Sequence, residues 1–302
     1  MKKILVVGSL NMDCMIEADH MPKPGETVLG KSVTLIPGGK GANQAYGVGK
    51  LGGKVGMIGA VGNDAYGRRL KENLERVGVD TSSVEVINGG TTGQAFITVD
   101  DEGENSIVVI QGTNREVTRE KIYKNVSRIQ ESDIVIMQLE IPVDTVQYVK
   151  ELANQMGKLV IIDPAPAQAG LPDSFWKGVD FIKPNESELE ILTGESMKTA
   201  EDIRRGARKM LEKGVQGVIV TLGEEGCLLV TKEREIFFET SKVRALDTTA
   251  AGDSFTAAFA VALSEGKDCT DAIRFGQKAS AVTVTRKGAQ TSMPDRNEVT
   301  EH

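Results

Sequence analysis

IVIMQLEIPVDTVQYVKELANQMGKLVIID, residues 134–163, sets the architecture of the chain. Ile134–Met137 is a short apolar run of the kind a buried strand needs. Val143–Asn154 follows with helical spacing, and Leu159–Asp163 is a second apolar, β-branched run. Strand, helix and strand in one uninterrupted unit put the two strands parallel.

The alternation extends outward in both directions. Downstream, Phe181–Lys183 reads as a strand, Glu186–Thr193 and Ala200–Lys213 as helices, and Val218–Thr221 as a strand. Gly226–Val230 and Glu235–Glu239 read as a late antiparallel pair, and Gly252–Ser264 and Thr270–Thr285 as helices. Upstream, Lys3–Val7 and Val55–Ala60 are strands and Gly41–Leu51 is a helix. Asp64–Val77 is an amphipathic helix with Leu70, Leu74 and Val77 on one face and Gly78 as its stop. The pattern predicts an α/β fold: a mainly parallel central sheet flanked by helices on both faces, with ligands beyond the carboxyl ends of its strands. Two segments break the alternation. Residues 11–35 carry Pro22, Pro24, Gly25 and Gly30, and a hairpin, Ala95–Val99 with Ser106–Ile110, turns at Asp101-Glu102-Gly103-Glu104. They are expected to form a small β-sheet lid over about 11–35 and 93–111, on a single domain spanning 1–302.

Composition narrows the function. The 302 residues are 40% hydrophobic and 26% charged, with a net charge of −7. An acidic surface argues against a nucleic-acid or anionic-membrane partner. The apolar run after Lys2 and Lys3 ends at Gly8, too short for a signal peptide, and none approaches the roughly 18 residues of a membrane span. Cys14, Cys227 and Cys269 are widely spaced and form neither a disulfide framework nor a zinc pattern, so a reducing cytoplasm is expected. With only His20 and His302, a Ser-His-Asp triad or a multi-histidine metal site is nearly excluded, and a carboxylate is the expected general base.

Two segments carry candidate chemistry. Pro37-Gly38-Gly39-Lys40-Gly41-Ala42-Asn43-Gln44 leads into a helix, offering close backbone approach, free N–H groups and the donors Lys40 and Asn43. A tight turn before a helix accounts for the glycines equally. The segment lacks the Gly-Lys-Ser/Thr ending of a Walker A loop, and Gly8-Ser9-Leu10-Asn11-Met12-Asp13 lacks GxGxxG. Asn11 and Asp13, two apart at a strand's carboxyl end, suit sugar hydroxyls, although both also form turns. Asp247-Thr248-Thr249-Ala250-Ala251-Gly252-Asp253-Ser254-Phe255 opens a helix with small residues, which leaves N–H groups free to hold a phosphoryl group. Asp253 in its first turn can take the proton of an attacking hydroxyl, with the helix dipole expected to keep it ionised. An ordinary helix-start acid is the alternative.

These segments resemble the D-T-x-x-A-G-D and N-terminal glycine signatures of the ribokinase-like (PfkB) sugar kinases. The resemblance runs from Gly8 to about Pro294 and includes Pro22-x-Pro24-Gly25-Glu26-Thr27, Gln138-Leu139-Glu140 and Thr285-Arg286-Lys287-Gly288-Ala289-Gln290. It implies ATP-dependent phosphorylation of D-ribose at the 5-hydroxyl, or of 2-deoxyribose, another sugar or a nucleoside. It implies sugar contacts from Asn11, Asp13, Gly39, Lys40, Asn43 and Glu140, with Asp253 as base and Ala250, Ala251 and Gly252 as anion hole. Nucleotide contacts would come from Asn185, Thr221, Gly223, Gly226, Gly252 and Gln277. Asn185 and Glu188 match an N-x-x-E motif in which Glu188 organises Mg2+ through water; the same pair reads as a capping box. A monovalent cation, K+, would be held by Asp247, Thr249, Thr283, Arg286, Gly288 and Ser292, several through main-chain oxygens. For Arg286 and Lys287 a solvated helix end is the plain alternative. Gln277, Thr283 and Thr291 depart from the family's usual residues. The resemblance also implies a homodimer paired through the lids. With 8 Phe, 4 Tyr and 1 Trp, little in the chain suggests a stacking pocket for a nucleoside base.

Overall fold

The computed structural model describes residues 1–300, so the end of the expected 1–302 unit, His302 included, lies outside the described residues. In chain order the elements are β1 (Lys3–Val7), β2 (Asn11–Glu17), β3 (Ser32–Gly38), α1 (Lys40–Lys50), β4 (Lys54–Gly62), α2 (Ala65–Glu75), β5 (Asp80–Ile87), β6 (Gly93–Val99), β7 (Asn105–Ile110), α3 (Arg119–Lys124), α4 (Val126–Glu131), β8 (Ile134–Met137), α5 (Val143–Gln155), β9 (Leu159–Ile162), α6 (Asp173–Trp176), β10 (Phe181–Ile182), α7 (Glu186–Thr193), α8 (Ala200–Glu212), β11 (Gly217–Thr221), β12 (Cys227–Thr231), β13 (Glu235–Phe238), α9 (Ala251–Ser264), α10 (Cys269–Thr283) and α11 (Arg296–Thr300).

Alternating side chains on β1 explain the layers. Ile4 and Val6 enter a core shared with Val48 of α1 and Ala257 and Val261 of α9, while Leu5 and Val7 enter a second core with Val146, Val149, Phe175 and Trp176. A strand buried on both faces reads as a continuous apolar run, which is how β1, β8 and β9 read. Nine strands form the main sheet in the order β13-β12-β11-β10-β9-β8-β1-β4-β5. β5 through β11 pair in parallel, and β12 and β13 add an antiparallel edge. The expected mainly parallel sheet is therefore the observed one. From β1 the chain winds to β4 and β5 on one side, then to β8 and beyond on the other. The carboxyl end of β1 is thus a topological switch point, where a crevice opens.

The second sheet has the order β3-β2-β6-β7. β3 runs past the expected limit at 35 to Gly38, whose register partner is Asn11, so this sheet ends on the glycine segment itself. Every residue of β7 is exposed. Gly39 has φ 88, a left-handed backbone that glycine adopts without strain. A side chain on Gly41 would put Cβ 2.6 Å from the Ser9 nitrogen. The start of α1 is thereby pressed against the exit of β1.

β5, α3 and α4 have no counterpart in the sequence reading. β5, DTSSVEVI, is a largely polar edge strand with a register shift near its start, and only Thr81 and Val84 are buried. The helices α3 and α4 are six residues each, too short to show a repeating face. Among the described residues no helix is long and apolar enough to cross a membrane.

Candidate active site

The carboxyl ends of β1, β8, β9 and β10 and the starts of α1 and α9 converge at the switch point. Glu140, beyond β8, accepts from the Ser9 hydroxyl at 2.5 Å and from the Lys40 backbone N–H at 3.0 Å. The next N–H groups of α1 are already taken, Gly41 and Ala42 by Ser9 and Asn43 by the Gly39 carbonyl, and the helix dipole favours a carboxylate at this end. Asn11 is buried, and its Oδ1 accepts from Asn114 Nδ2 at 2.7 Å. Asn114 also bonds both backbone groups of Leu10, fixing the entry to β2. Asp13 lies two residues on, and its carboxylate crowds Gly38. Burial, with Glu140 and Asp253 nearby, pushes the Asp13 carboxyl up to about 7 despite Lys40. Burial alone would lower the Lys40 ammonium, but Asp253, Asp163 and Glu140 around it leave it raised above the ordinary lysine range.

Asp253 is 6% exposed in the first turn of α9. Its Oδ2 accepts from Asn43 Nδ2 and its Oδ1 from Gln44 Nε2, each at 2.9 Å. Asn43 is thus held between Asp253 and Gln290, whose Nε2 donates to its Oδ1 at 3.0 Å. Burial works against the ionised form that the helix dipole is expected to favour. Burial is the largest influence and, with Asp163 nearby, pushes the carboxyl up to about 6, against the opposing pull of Lys40 and the two amides.

Ala250 precedes α9 with φ 60, the only non-glycine residue with positive φ among those described. No side chain caps this helix start. The Ala251 N–H already donates to the Thr248 carbonyl at 3.2 Å, which leaves Ala250 and Gly252 as the backbone donors beside Asp253. Lys183, buried just beyond β10, has its Nζ 3.1 Å from where a Cβ on Gly252 would lie. It pairs with Asp163 at 3.6 Å. Asp163 also accepts from Gln44 Nε2 at 2.8 Å, and Gln138 Nε2 donates to Gln44 Oε1 at 2.6 Å. Asp163 Oδ1 and Gln138 Oε1 are buried without a partner. Lys183, Asp163, Gln44 and Asn114 were not singled out from sequence. A lysine ending an apolar strand run just before Pro184-Asn185 was the one available signal.

On the nucleotide side, Asn185 and Glu188 form a reciprocal capping box, and Asn185 bridges to Thr221. The Thr221 N–H donates to the Pro184 carbonyl at 3.0 Å, which brings the two motifs together. Glu188 uses Oε2 in the box, which leaves Oε1 outside it. Gly223 and Gly226 both have positive φ in the tight turn after β11. Gln277 is tied through Nε2 to the Phe238 carbonyl at 2.9 Å, so its amide faces β13.

The expected cation residues also gather. Asp247 accepts from the N–H groups of Thr249 and Gly288, each at 2.8 Å, joining the two loops. These bonds hold its carboxyl below the usual range although burial opposes them. The Thr283 hydroxyl donates to the Ala279 carbonyl and pairs with the Ser254 hydroxyl, and the Ser292 hydroxyl donates to the Ala289 carbonyl. The Arg286 guanidinium, just past the end of α10 and 38% exposed, pairs with Glu298 at 2.5 Å.

Comparison with known proteins gives one consistent family. A profile described as pfkB family carbohydrate kinase matches residues 1–296. A ribokinase of Haemophilus influenzae is 40% identical over 300 residues, covering 99% of this chain and 98% of that protein. A deoxyribokinase of Salmonella typhi is 36% identical, covering 99% and 98%. The structure of an Arabidopsis thaliana ribokinase complexed with ribose and ATP superposes with a TM-score of 0.92 at 35% identity, covering 99% of this chain and 98% of that one.

The raised Asp13 carboxyl has a stability consequence. Its pKa is near 7 folded and in the ordinary carboxylate range unfolded, so its ionisation destabilises the fold. The penalty is absent near pH 4, grows as pH rises, and is complete above pH 7. Asp13→Asn is expected to raise the melting temperature by about 2–6 °C at pH 8 and by nothing measurable near pH 4. Thermal melts at the two pH values check this; a gain independent of pH would contradict it.

Proposed function

The chain belongs to the pfkB family of carbohydrate kinases, and from that premise we propose that it transfers the γ-phosphate of ATP to the 5-hydroxyl of D-ribose, giving ribose 5-phosphate. Asp253 carries the reading: a carboxylate with both oxygens held by amides, at the mouth of an uncapped helix start. Asn11, Asp13, the Gly39 backbone, Lys40, Asn43 and Glu140 would bracket the sugar hydroxyls. That set mixes donors and acceptors as hydroxyls require. Asp253 orients the 5-hydroxyl and takes its proton. A pKa of about 6 leaves it mostly ionised at neutral pH while keeping it basic enough to serve. The N–H groups of Ala250 and Gly252, with Lys183 beside them, would receive the charge on the transferred phosphoryl group.

Asn185, Thr221, Gly223, Gly226, Gly252 and Gln277 would line the nucleotide. Magnesium, held through water by Glu188, would offset the charge of the ATP phosphates. A potassium ion among Asp247 and the main-chain oxygens of Thr249, Thr283, Arg286, Gly288 and Ser292 would stiffen the Ala250 turn.

2-Deoxyribose is the second reading, supported by the 36% identity to a deoxyribokinase. Ribose is preferred because ribokinases reach 40%. A missing 2-hydroxyl would also leave a polar group unpaired at roughly 1–3 kcal/mol. The sheet β3-β2-β6-β7 serves in this reading as a lid that keeps water from the phosphoryl group. Ile107, Val108, Val109 and Ile110 of β7 are each about half exposed; Phe96 on the adjoining β6 is 39% exposed and Val33 on the opposite edge strand β3 is 66% exposed. Such a bare apolar sheet favours a homodimer through the lids. The enzyme would work in the cytoplasm, without nucleic-acid or membrane partners.

ADP release from ATP-Mg, with and without potassium, over D-ribose, 2-deoxyribose, fructose and nucleosides tests the reading. Strong ribose-dependent, potassium-stimulated turnover is expected, and turnover only with another acceptor would replace the substrate. Asp253→Asn is expected to cut kcat by ~10²–10⁴ with sugar and ATP still bound; near-normal turnover would sink the mechanism. Lys183→Met is expected to lower kcat by about 10²-fold, with the ribose KM within a few-fold of the parent. Ile107→Asp is expected to shift the protein from dimer to monomer in sedimentation; a parent that sediments as a monomer would remove the lid-to-lid arrangement.

A further inference from the structure

Asn114 and Asn11 meet at the root of the second sheet, and the backbone fixes the direction of one of the two amides. Asn114 lies just past β7, where the chain returns to the main sheet. Its Oδ1 accepts from the Leu10 N–H at 2.9 Å, and its Nδ2 donates to the Leu10 carbonyl at 3.2 Å. A peptide N–H only donates and a carbonyl only accepts, so these two bonds admit a single orientation of the Asn114 amide. The same Nδ2 donates to Asn11 Oδ1 at 2.7 Å. Both side chains are buried. The β6 residue paired with Asn11 is Gly93, where a Cβ would lie 2.3 Å from both Asn11 Oδ1 and Asn114 Nδ2. The two amides therefore meet only because that position carries no side chain. Asn11 Nδ2 has no partner among the described residues and is not one of the sealed, unpartnered polar atoms, so it opens on the crevice.

We propose that Asn114 is a positioning residue for sugar recognition: it holds Asn11 with its oxygen inward, so that the Asn11 NH₂ is the group offered to a sugar hydroxyl. Turning Asn11 over would set its NH₂ against the Asn114 NH₂, two donors in a buried place with no acceptor between them. The crevice side imposes no direction of its own. Among the described residues no group there bonds to Asn11, and a hydroxyl both donates and accepts, so it would take either end of the amide. The direction thus passes from the Leu10 backbone through Asn114 to Asn11.

The inference rests on the sugar-binding part of the kinase reading, so its readout is affinity, measured by calorimetry for ribose and for ATP separately. A parent that binds ribose without releasing ADP would remove the kinase reading and leave this one standing; a parent that binds no ribose would overturn both. Asn114→Ala leaves a small polar pocket in which a water can serve the Leu10 N–H and carbonyl. A water donates or accepts alike, so the direction of Asn11 is released while the backbone stays satisfied. The variant is expected to bind ribose about tenfold more weakly, with ATP affinity within about twofold of the parent. In an Asn11→Ala background the same change is expected to weaken ribose by less than about twofold more, because the amide it positions is gone. A tenfold loss that persisted there would place the effect in Leu10 and the sheet root and overturn the proposal, as would parent-like ribose binding by Asn114→Ala. Gly93→Ala sets a methyl between the two amides and is expected to show the same ribose-specific loss. Parent-like ribose binding by that variant would overturn the proposal even if Asn114→Ala failed to fold. The direction is tested with 2-amino-2-deoxyribose and 3-amino-3-deoxyribose, whose protonated amines only donate. The parent is expected to disfavour at least one of them against ribose, and Asn114→Ala to narrow that ratio about fivefold, since a freed Asn11 can turn its oxygen outward. The carboxylates of the crevice are the same in both proteins, so equal ratios would overturn the assigned direction and the proposal with it.

Discussion

Keeping the charge of Asp253 inside the protein is the constraint around which the crevice is organised. An ionised carboxylate taken out of water is tolerated only when its oxygens are hydrogen-bonded and opposite charge is near. Here each oxygen receives one amide N–H, and Lys40 supplies the charge from α1. Those donors come from consecutive residues, Asn43 and Gln44, of one helix. They reach Asp253 because α1 packs along α9 beneath it. Bringing the two helix starts together requires α1 to press on the exit of β1, where Gly41 leaves no room for a Cβ. The glycine segment is thus a packing requirement first, and its openness to a ligand follows from that.

The sheet supplies the remaining groups without any of them being neighbours in sequence. Parallel pairing sets the ends of β1, β8, β9 and β10 side by side, so the residues just past them form one row. Glu140, Asp163 and Lys183 are members of that row. Glu140 ties down the start of α1, Asp163 shares Gln44 with Asp253, and Lys183 sits beside the Gly252 backbone. The second sheet begins at Asn11, inside the same row, so any motion of that sheet is felt directly by Asn11 and Asp13.

What sequence made legible follows from how local each signal is. β1, β8 and β9 stand out because burial on both faces demands continuous apolar runs. The Asn185–Glu188 box was readable because a cap is a contact between residues three apart. β5 was not, because an edge strand facing solvent carries no such demand and a register shift blurs its alternation. Asp253 was found from the small residues around it, but its raised pKa was not. That depends on burial depth and on Asp163, 90 positions away, neither of which a first-turn carboxylate announces. Gln44 and Gln290 lay within quoted motifs without a role. Their contacts are made with partners more than 90 residues distant, which no local pattern announces.

The distribution of unfavourable features gives a reason, independent of any relative, to place the chemistry here. Ala250 holds a left-handed backbone that costs a non-glycine residue roughly 1–3 kcal/mol. Asp13 and Asp253 carry carboxyls raised by burial, and Asp163 Oδ1 and Gln138 Oε1 are buried without partners. Most of these lie within the one crevice; away from it, Thr145 Oγ1 is also buried without a partner and burial also raises the Asp180 carboxyl. A fold selected only for stability would relieve such features, since an apolar or amide replacement at several of these positions removes the penalty. Their concentration around Asp253 is what a site poised to accept a proton and a phosphoryl charge requires, because groups satisfied before the substrate arrives would have nothing left to offer it.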